Sequence, residues 1–325
     1  MRQDPLLLDP EKSYVDTLRL PRLAIKTWLG ALLVALGAVW IAYQLATNPS
    51  LEWDVIGEYI FSPHILSGVW VTVALTALTM VLGTLLGILL AVMRLSQNPV
   101  LEIASGSFIW FFRSTPALVQ LIFWYNLASL FPEISIGIPF DGPKLMEWDT
   151  NVLVTSFIAA LLGLGLNEAA YMAEIVRGGI LSVDPSQREA ASALGMKPWR
   201  TFIRVTLPQA MRAIIPPTGN QVIGMLKYTS LASVVAVSEL LNAAQDIYNR
   251  TFQTIPLLIV ASIWYLVLTS VLSLIQAKIE THYSRGDRQP QQTAWTRSIG
   301  VVLHGSRRRR RGSSPKSGSI GVGDE

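Results

Sequence analysis

Residues 184–208 read Asp184-Pro185-Ser186-Gln187-Arg188-Glu189-Ala190-Ala191-Ser192-Ala193-Leu194-Gly195-Met196-Lys197-Pro198-Trp199-Arg200-Thr201-Phe202-Ile203-Arg204-Val205-Thr206-Leu207-Pro208, a charged interval between two strongly apolar stretches. Asp184 is a good N-cap, Pro185 suits the first helical position, and Gln187 stands three residues after the cap, so a helix is predicted from here. Gly195 is the residue type that takes the left-handed conformation after a helix, and Pro198 opens a predicted second short helix. On that second helix Trp199, Phe202 and Ile203 share one face and Arg200 and Arg204 another. The unit is a compact amphipathic helix-turn-helix. Two alanines beside Glu189 let a partner surface approach closely; an amphipathic loop resting on lipid headgroups is the other reading of the same chemistry.

The order of these residues carries more than their types. Glu189-Ala190-Ala191, then Gly195, then Val205 and Leu207-Pro208 resembles the EAA motif of ABC importer permeases, with Val where Ile is common. The resemblance implies a coupling helix, the element that inserts into a separate ATP-hydrolysing subunit and carries its motion into the membrane.

Composition points to the same class. The chain of 325 residues is 51% apolar and only 15% charged. Its apolar residues gather into six runs, roughly 23–46, 65–93, 100–130, 152–178, 210–238 and 255–280. Each is long enough to cross a ~30 Å hydrocarbon layer. Pro116 and Pro216-Pro217 are expected to interrupt the third and fifth. The first run is too long for a cleavable signal and lacks a small-residue cleavage pattern. With no cysteine, neither a disulfide framework nor a thiolate metal site is available. No cofactor is expected.

Lys and Arg in the loops orient the chain. The loop at 47–64 has three acids and no Lys or Arg, and 131–150 has only Lys144, whereas 179–211 carries Arg188, Lys197, Arg200 and Arg204. The last group faces the cytoplasm. Six spans then put both termini there, together with the basic N-terminal segment 1–22 and the Arg307–Arg311 tail within 284–325. That tail lacks apolar periodicity and reads as disordered, either attracted to anionic lipid or passive. The net charge of +4 is no sign of nucleic-acid binding, because no stacking aromatics alternate with the arginines.

Function must reside in polar residues placed where lipid excludes them. Glu168 falls near the middle of the fourth run, where an ionisable group is costly and marks a functional candidate. Two readings stand: a ligand for a substrate ammonium, or a carboxylate paired with a neighbouring helix. Glu174 and Arg177, three apart, read as a structural ion pair. The third run of about 31 residues exceeds one bilayer crossing at ~1.5 Å per residue. Arg113 before the expected break is either a snorkelling anchor or a group lining a substrate path, with Gln120 one turn on. Asn220, Gln221 and Lys227 pose the choice between pore lining and interhelical hydrogen bonds, while Gly83 and Gly87 read as helix packing.

Arg113-Ser114-Thr115-Pro116-Ala117-Leu118-Val119-Gln120, Ala173-Glu174-Ile175-Val176-Arg177-Gly178-Gly179-Ile180, Leu207-Pro208-Gln209-Ala210 and Leu226-Lys227-Tyr228-Thr229-Ser230-Leu231 are similar to the permeases of polar amino acid ABC importers, of the histidine, glutamine and arginine type. The departures are Ser114 for Gly, Ala117 for Leu, Ser186 for Gly, and Tyr228 where Asp is frequent. The likeness spans about 65–283 and leaves 23–64, an extra helix and external loop, outside it. It implies an all-α polytopic protein of about six transmembrane helices with a cytoplasmic coupling helix, the type I ABC importer permease, in a bacterial inner membrane. Implied partners are two ABC ATPase subunits, an extracytoplasmic solute-binding protein and a second permease subunit, identical or homologous. The implied coupling residues are Glu189, Ala190, Ala191, Gly195, Leu207 and Pro208 within 184–208. The candidate substrate path is Glu168, Arg113, Gln120, Asn220 and Lys227.

No GxxxxGK[ST], HExxH or GxSxG segment occurs, so nucleotide, zinc and nucleophile-elbow chemistry have no motif in this chain. An ion-gradient-driven secondary transporter of a small polar solute remains the alternative, though no repeated halves are visible. The substrate stays open among basic amino acids, glutamine, glutamate and opine-like derivatives.

Overall fold

The computed structural model describes residues 24–137 and 144–283. The basic N-terminal segment and the arginine-rich tail lie outside the described residues. The helix α1 (Ala24–Thr47) is exposed along its whole described length and touches the rest through Trp53, whose indole Nε1 donates to the Leu45 carbonyl at 3.3 Å. A short helix, α2 (Trp53–Tyr59), follows.

The core is the pair of long helices α3 (Pro63–Arg94) and Ser156–Leu181, reached through the segments between them. Ser62 caps α3 by accepting from the Ile65 amide at 3.4 Å, with Pro63 in its first turn. Next come α4 (Pro99–Ser114) and α5 (Ala117–Tyr125), separated at Thr115-Pro116. The expected break in the third apolar run is therefore present. Thr115 takes extended backbone because the ring of Pro116 disfavours helix at the residue before it. The one-turn helix α6 (Leu127–Leu130) leads into a hairpin of β1 (Glu133–Gly137) and β2 (Lys144–Asp149). Glu133 pairs with Asp149, Ile134 with Trp148 and Ser135 with Glu147 in antiparallel register. This hairpin departs from the all-helical expectation. Its signal was the alternation of apolar and polar residues in 133–137, short enough to pass as loop, while Leu145-Met146 breaks the alternation in 144–149. Lys144 sits between Glu133, at 3.5 Å, and Glu147.

After α7 (Thr150–Leu153), the central helix α8 (Ser156–Leu181) begins at Thr155, whose hydroxyl accepts from the Ile158 amide. The backbones of α3 and α8 come together through glycine. A Cβ at Gly83 would stand 2.7 Å from Glu168 Cγ, and one at Gly87 2.6 Å from Met172 Cβ. Glycines four apart thus do the packing work expected of them.

The helix α9 (Pro185–Ala193) and the turn α10 (Pro198–Thr201) come next. A π turn over Phe202–Thr206 then runs directly into α11 (Leu207–Tyr228). The second short helix of the sequence reading is therefore no separate unit but the start of the fifth span. Pro208 has no N–H and its ring would clash with the carbonyl four residues back, so the chain widens into a π turn, the Leu207 amide bonding the Phe202 carbonyl.

The expectation that Pro216-Pro217 interrupts this span is corrected: α11 continues through both. A neighbouring helix, α13 (Thr254–Tyr283), supports the backbone there once α12 (Leu240–Thr251) has been passed. The Gln276 amide donates to the Pro216 carbonyl at 2.9 Å and lies so close to Gly219 that a Cβ there would be 1.6 Å from its oxygen. The bend comes later, at a 3-10 stretch Thr229–Val235, where Ala236 takes φ 57° and the two arms differ by 44°. Among the described residues four unbroken helices are long and apolar enough to span a membrane, Trp28–Thr47, Pro63–Arg94, Ser156–Leu181 and Thr254–Thr281, and the bent pair makes a fifth. The remaining apolar run, the third, is the one divided at Pro116.

Candidate functional site

The break between α4 and α5 creates polar backbone where lipid would surround it, and side chains satisfy that backbone. The Gln120 amide donates to the Phe112 carbonyl at 3.0 Å, the Thr115 carbonyl at 3.1 Å and Thr115 Oγ1 at 2.6 Å. From α8, Asn167 donates to the same Phe112 carbonyl at 2.9 Å and to Gln120 Oε1 at 3.2 Å. Gln120 is buried by this role and does not reach the open space in front of the break. It holds the break.

That open space is a cleft of about 510 Å³ between the break, α8 and α11. Glu168, at mid-length in α8, is buried at 3% exposure and lines it. The bare backbone of Gly83 backs the stem of Glu168, and on the far side Gln221 of α11 donates to both carboxylate oxygens at 3.3 and 3.2 Å. No basic side chain lies within 4.0 Å of it among the described residues. Across the cleft stands Arg113, exposed, its guanidinium carbon 5.3 Å from the centre of the Tyr171 ring. A cation and an anion therefore face one cavity without neutralising each other.

Of the candidate path residues the structure brings Arg113 and Glu168 together. Asn220 and Lys227 are exposed and outside the lining. On α11 the cleft face runs through Gln221, Met225 and Tyr228, at helical spacing, so residues one position earlier point about 100° away. Sequence reasoning missed Tyr171 and Asn167, which give no signal without knowing which face of α8 meets the break. Glu174 and Arg177 form the expected local pair, Nη2 to Oε2 at 2.7 Å.

The segment 184–208 is the second candidate site. The Ser186 amide donates to Asp184 at 2.9 Å, and that bond holds the Asp184 carboxyl below the usual carboxylate range. Gly195 takes φ 74°, with its amide on the Ser192 carbonyl at 2.9 Å and the Met196 amide on Ala191 at 3.1 Å, the paired bonds of a Schellman stop. Glu189 and Ala190 face outward, but Ala191 is buried. One small residue, not two, is thus presented beside Glu189. Leu194 and Trp199 are exposed at 83% and 70%, and Trp199 stacks on Phe202 with ring centres 6.4 Å apart. Leu207 is half-buried and Pro208 exposed where α11 begins.

The chain that carries this broken span, midspan carboxylate and exposed projection is similar to known proteins. The profile of the binding-protein-dependent transport system inner membrane component matches residues 83–285. The chain belongs to this family. It is 44% identical over 261 residues to the arginine transport system permease protein ArgU of Corynebacterium glutamicum, covering 80% of each chain. It is 36% identical over 216 residues to the octopine transport system permease protein OccM of Rhizobium radiobacter, covering 66% of this chain and 84% of that one. Among solved structures it is similar to a chain of an amino acid ABC transporter with histidines, at 33% identity and a TM-score of 0.59 over 68% of this chain and 95% of that one. The protein is a permease subunit of an ABC importer, built on a type I fold.

Proposed function

We propose that this permease subunit of an ABC amino acid importer passes a cationic amino acid through the cleft between Arg113 and Glu168. The observation that carries the reading is Glu168, buried, without a basic partner among the described residues, and turned to an open cavity. An unpaired carboxylate at that depth costs about 3 kcal/mol on insertion scales, which a substrate cation offsets when bound. Arg113 and the free amides at the start of α5 suit the substrate carboxylate. The cavity of about 510 Å³ accommodates an extended side chain between them. The name of the arginine relative supports the same class.

The remaining parts follow the family's arrangement. Arg113, Pro116 and Tyr228 leave the cleft open to one side, which a second permease subunit, identical or homologous, would close. The 184–208 projection, with Glu189 and Ala190 outward, docks an ABC ATPase subunit that hydrolyses ATP for the complex. An extracytoplasmic solute-binding protein delivers the amino acid at the face carrying the β1–β2 hairpin. Both termini lie in the cytoplasm of a bacterial cell.

The test is initial uptake by reconstituted vesicles, normalised to assembled complex, for wild type and Glu168→Gln. The substitution keeps shape and hydrogen bonding but removes the charge. Loss of a hydrogen bond to a charged group corresponds to about tenfold, so cationic uptake falls by that order and neutral uptake far less. Unchanged discrimination between cationic and neutral amino acids removes Glu168 from the path.

A further inference from the structure

A second buried carboxylate lies outside the cleft and has no part in the reading above. Glu239 is fully buried, at 0% exposure, at the start of α12. Its Oε1 accepts from the Asn242 amide at 2.8 Å. Its Oε2 accepts from the Leu241 amide at 3.0 Å and from the Tyr265 hydroxyl of α13 at 2.7 Å. The Thr72 hydroxyl of α3 lies 3.5 Å from the same oxygen and accepts the Leu240 amide at 3.0 Å. Three helices thus meet on one side chain.

The location gives this convergence a consequence. Just before Glu239 the fifth span leaves α11, runs through the 3-10 stretch, and turns 44° past Ala236 in left-handed backbone. A non-glycine residue in that conformation is held there by its surroundings. Leu231 in the 3-10 stretch and Tyr228 just before it are part of the cleft wall. Gly68 of α3 also meets this corner closely, since a Cβ on it would stand 2.8 Å from Ala243 Cβ and 3.0 Å from Leu240 Cα. The corner is packed, hydrogen-bonded and joined to the wall by a few residues.

We propose that Glu239 is a positioning residue for transport: with Thr72 and Tyr265 it pins the bend of the fifth span so that Tyr228 and Leu231 stand in the wall of the cleft. A plain helix cap needs only the two amides. The Tyr265 hydroxyl is an additional donor from another span, and it fixes where α12 sits relative to α13 rather than whether α12 forms. The inference rests on the cleft being the solute path but not on which amino acid uses it.

The chain contains no native cysteine, so Leu231→Cys gives a single reporter in the wall. The importer is reconstituted whole, with its ATPase and binding protein, carrying Leu231→Cys alone or with Tyr265→Phe, which deletes one hydroxyl and leaves the ring packed. The rate of reaction with a small thiol reagent, measured without substrate on assembled complex, is expected to rise about tenfold in Tyr265→Phe, the lower end of the scale of one hydrogen bond to a charged group. Glu239→Asp, which keeps a capping carboxylate but retracts it from Tyr265, should show the same rise, and joining the two changes should add little to either. An unchanged labelling rate in Tyr265→Phe overturns the proposal, as does a loss confined to the amount of assembled complex. Failure of any amino acid to protect Cys at position 231 in the otherwise wild-type importer would reject the cleft as the path, while the rate comparison would still decide the pin.

Discussion

Gln221 donates its side-chain amide to both oxygens of Glu168, at 3.3 and 3.2 Å, so the carboxylate in the middle of α8 is oriented by α11 rather than neutralised by it. The distances are long for bonds to an ionised acceptor, which leaves the oxygens capacity for a closer donor. Gln221→Leu should therefore weaken uptake of a cationic amino acid by about fivefold, less than Glu168→Gln, because the charge remains and only its aim is lost. Equal or larger loss in Gln221→Leu, measured as uptake per assembled complex, would make Gln221 a direct substrate ligand instead.

The proposed coupling role rests on the exposed side of α9, where Ala190 lies next to Glu189. Ala190→Arg places a long cation on the exposed side of α9 and leaves the buried Ala191 contact intact. Transport should fall to near background while the complex still assembles and its spans remain folded. Vesicles carrying Ala190→Arg that import at the wild-type rate would remove this helix from the coupling role.

Topology can be read with the same cysteine-free background. Ser135 in β1 and Ser192 in α9 are both exposed and lie on either side of α8. A cysteine at Ser135 should react with an impermeant thiol reagent added outside intact cells, and one at Ser192 only after permeabilisation. Labelling of both from outside contradicts a membrane-spanning α8.

The close approach of α3 and α8 predicts a stability effect at a single methyl group. A Cβ on Gly83 would meet Glu168 Cγ at 2.7 Å and the Ala169 amide nitrogen at 3.3 Å, and neither atom is a flexible side-chain end. Gly83→Ala should cost about 1–3 kcal/mol as an overpacked interface. The check is the midpoint of thermal unfolding of the purified complex, with Gly57→Ala as a control, since no atom lies within 4 Å of a Cβ there. A Gly83→Ala complex as stable as that control would show that the two helices can separate at no cost.

The membrane class, the six apolar runs, the break at Pro116, the capped and glycine-stopped projection at 184–195, and the local Glu174–Arg177 pair were legible in the order of the residues. These are short-range matters: hydrophobic length, a proline's missing N–H and steric demand on the residue before it, a cap, a left-handed stop, and side chains three apart on one helix. Which faces meet depends instead on residues far apart in the chain. Pro216-Pro217 read as a break and is none, because Gln276, sixty residues away, supports the Pro216 carbonyl. Gln120 read as a path residue and instead fastens the break, because Asn167 of another span shares its acceptor. Asn220 and Lys227 fell outside the cleft by one helical position, because Asn220 and Gln221 are neighbours of like polarity and only the packing of α11 against α8 decides which of them faces inward. Glu239 gave no signal at all, for its partners Thr72 and Tyr265 come from two other helices. In a protein whose helices are surrounded by lipid, apolar pattern says which segments enter the membrane, while polar contacts and glycine-sized gaps, set by distant residues, say how they are turned.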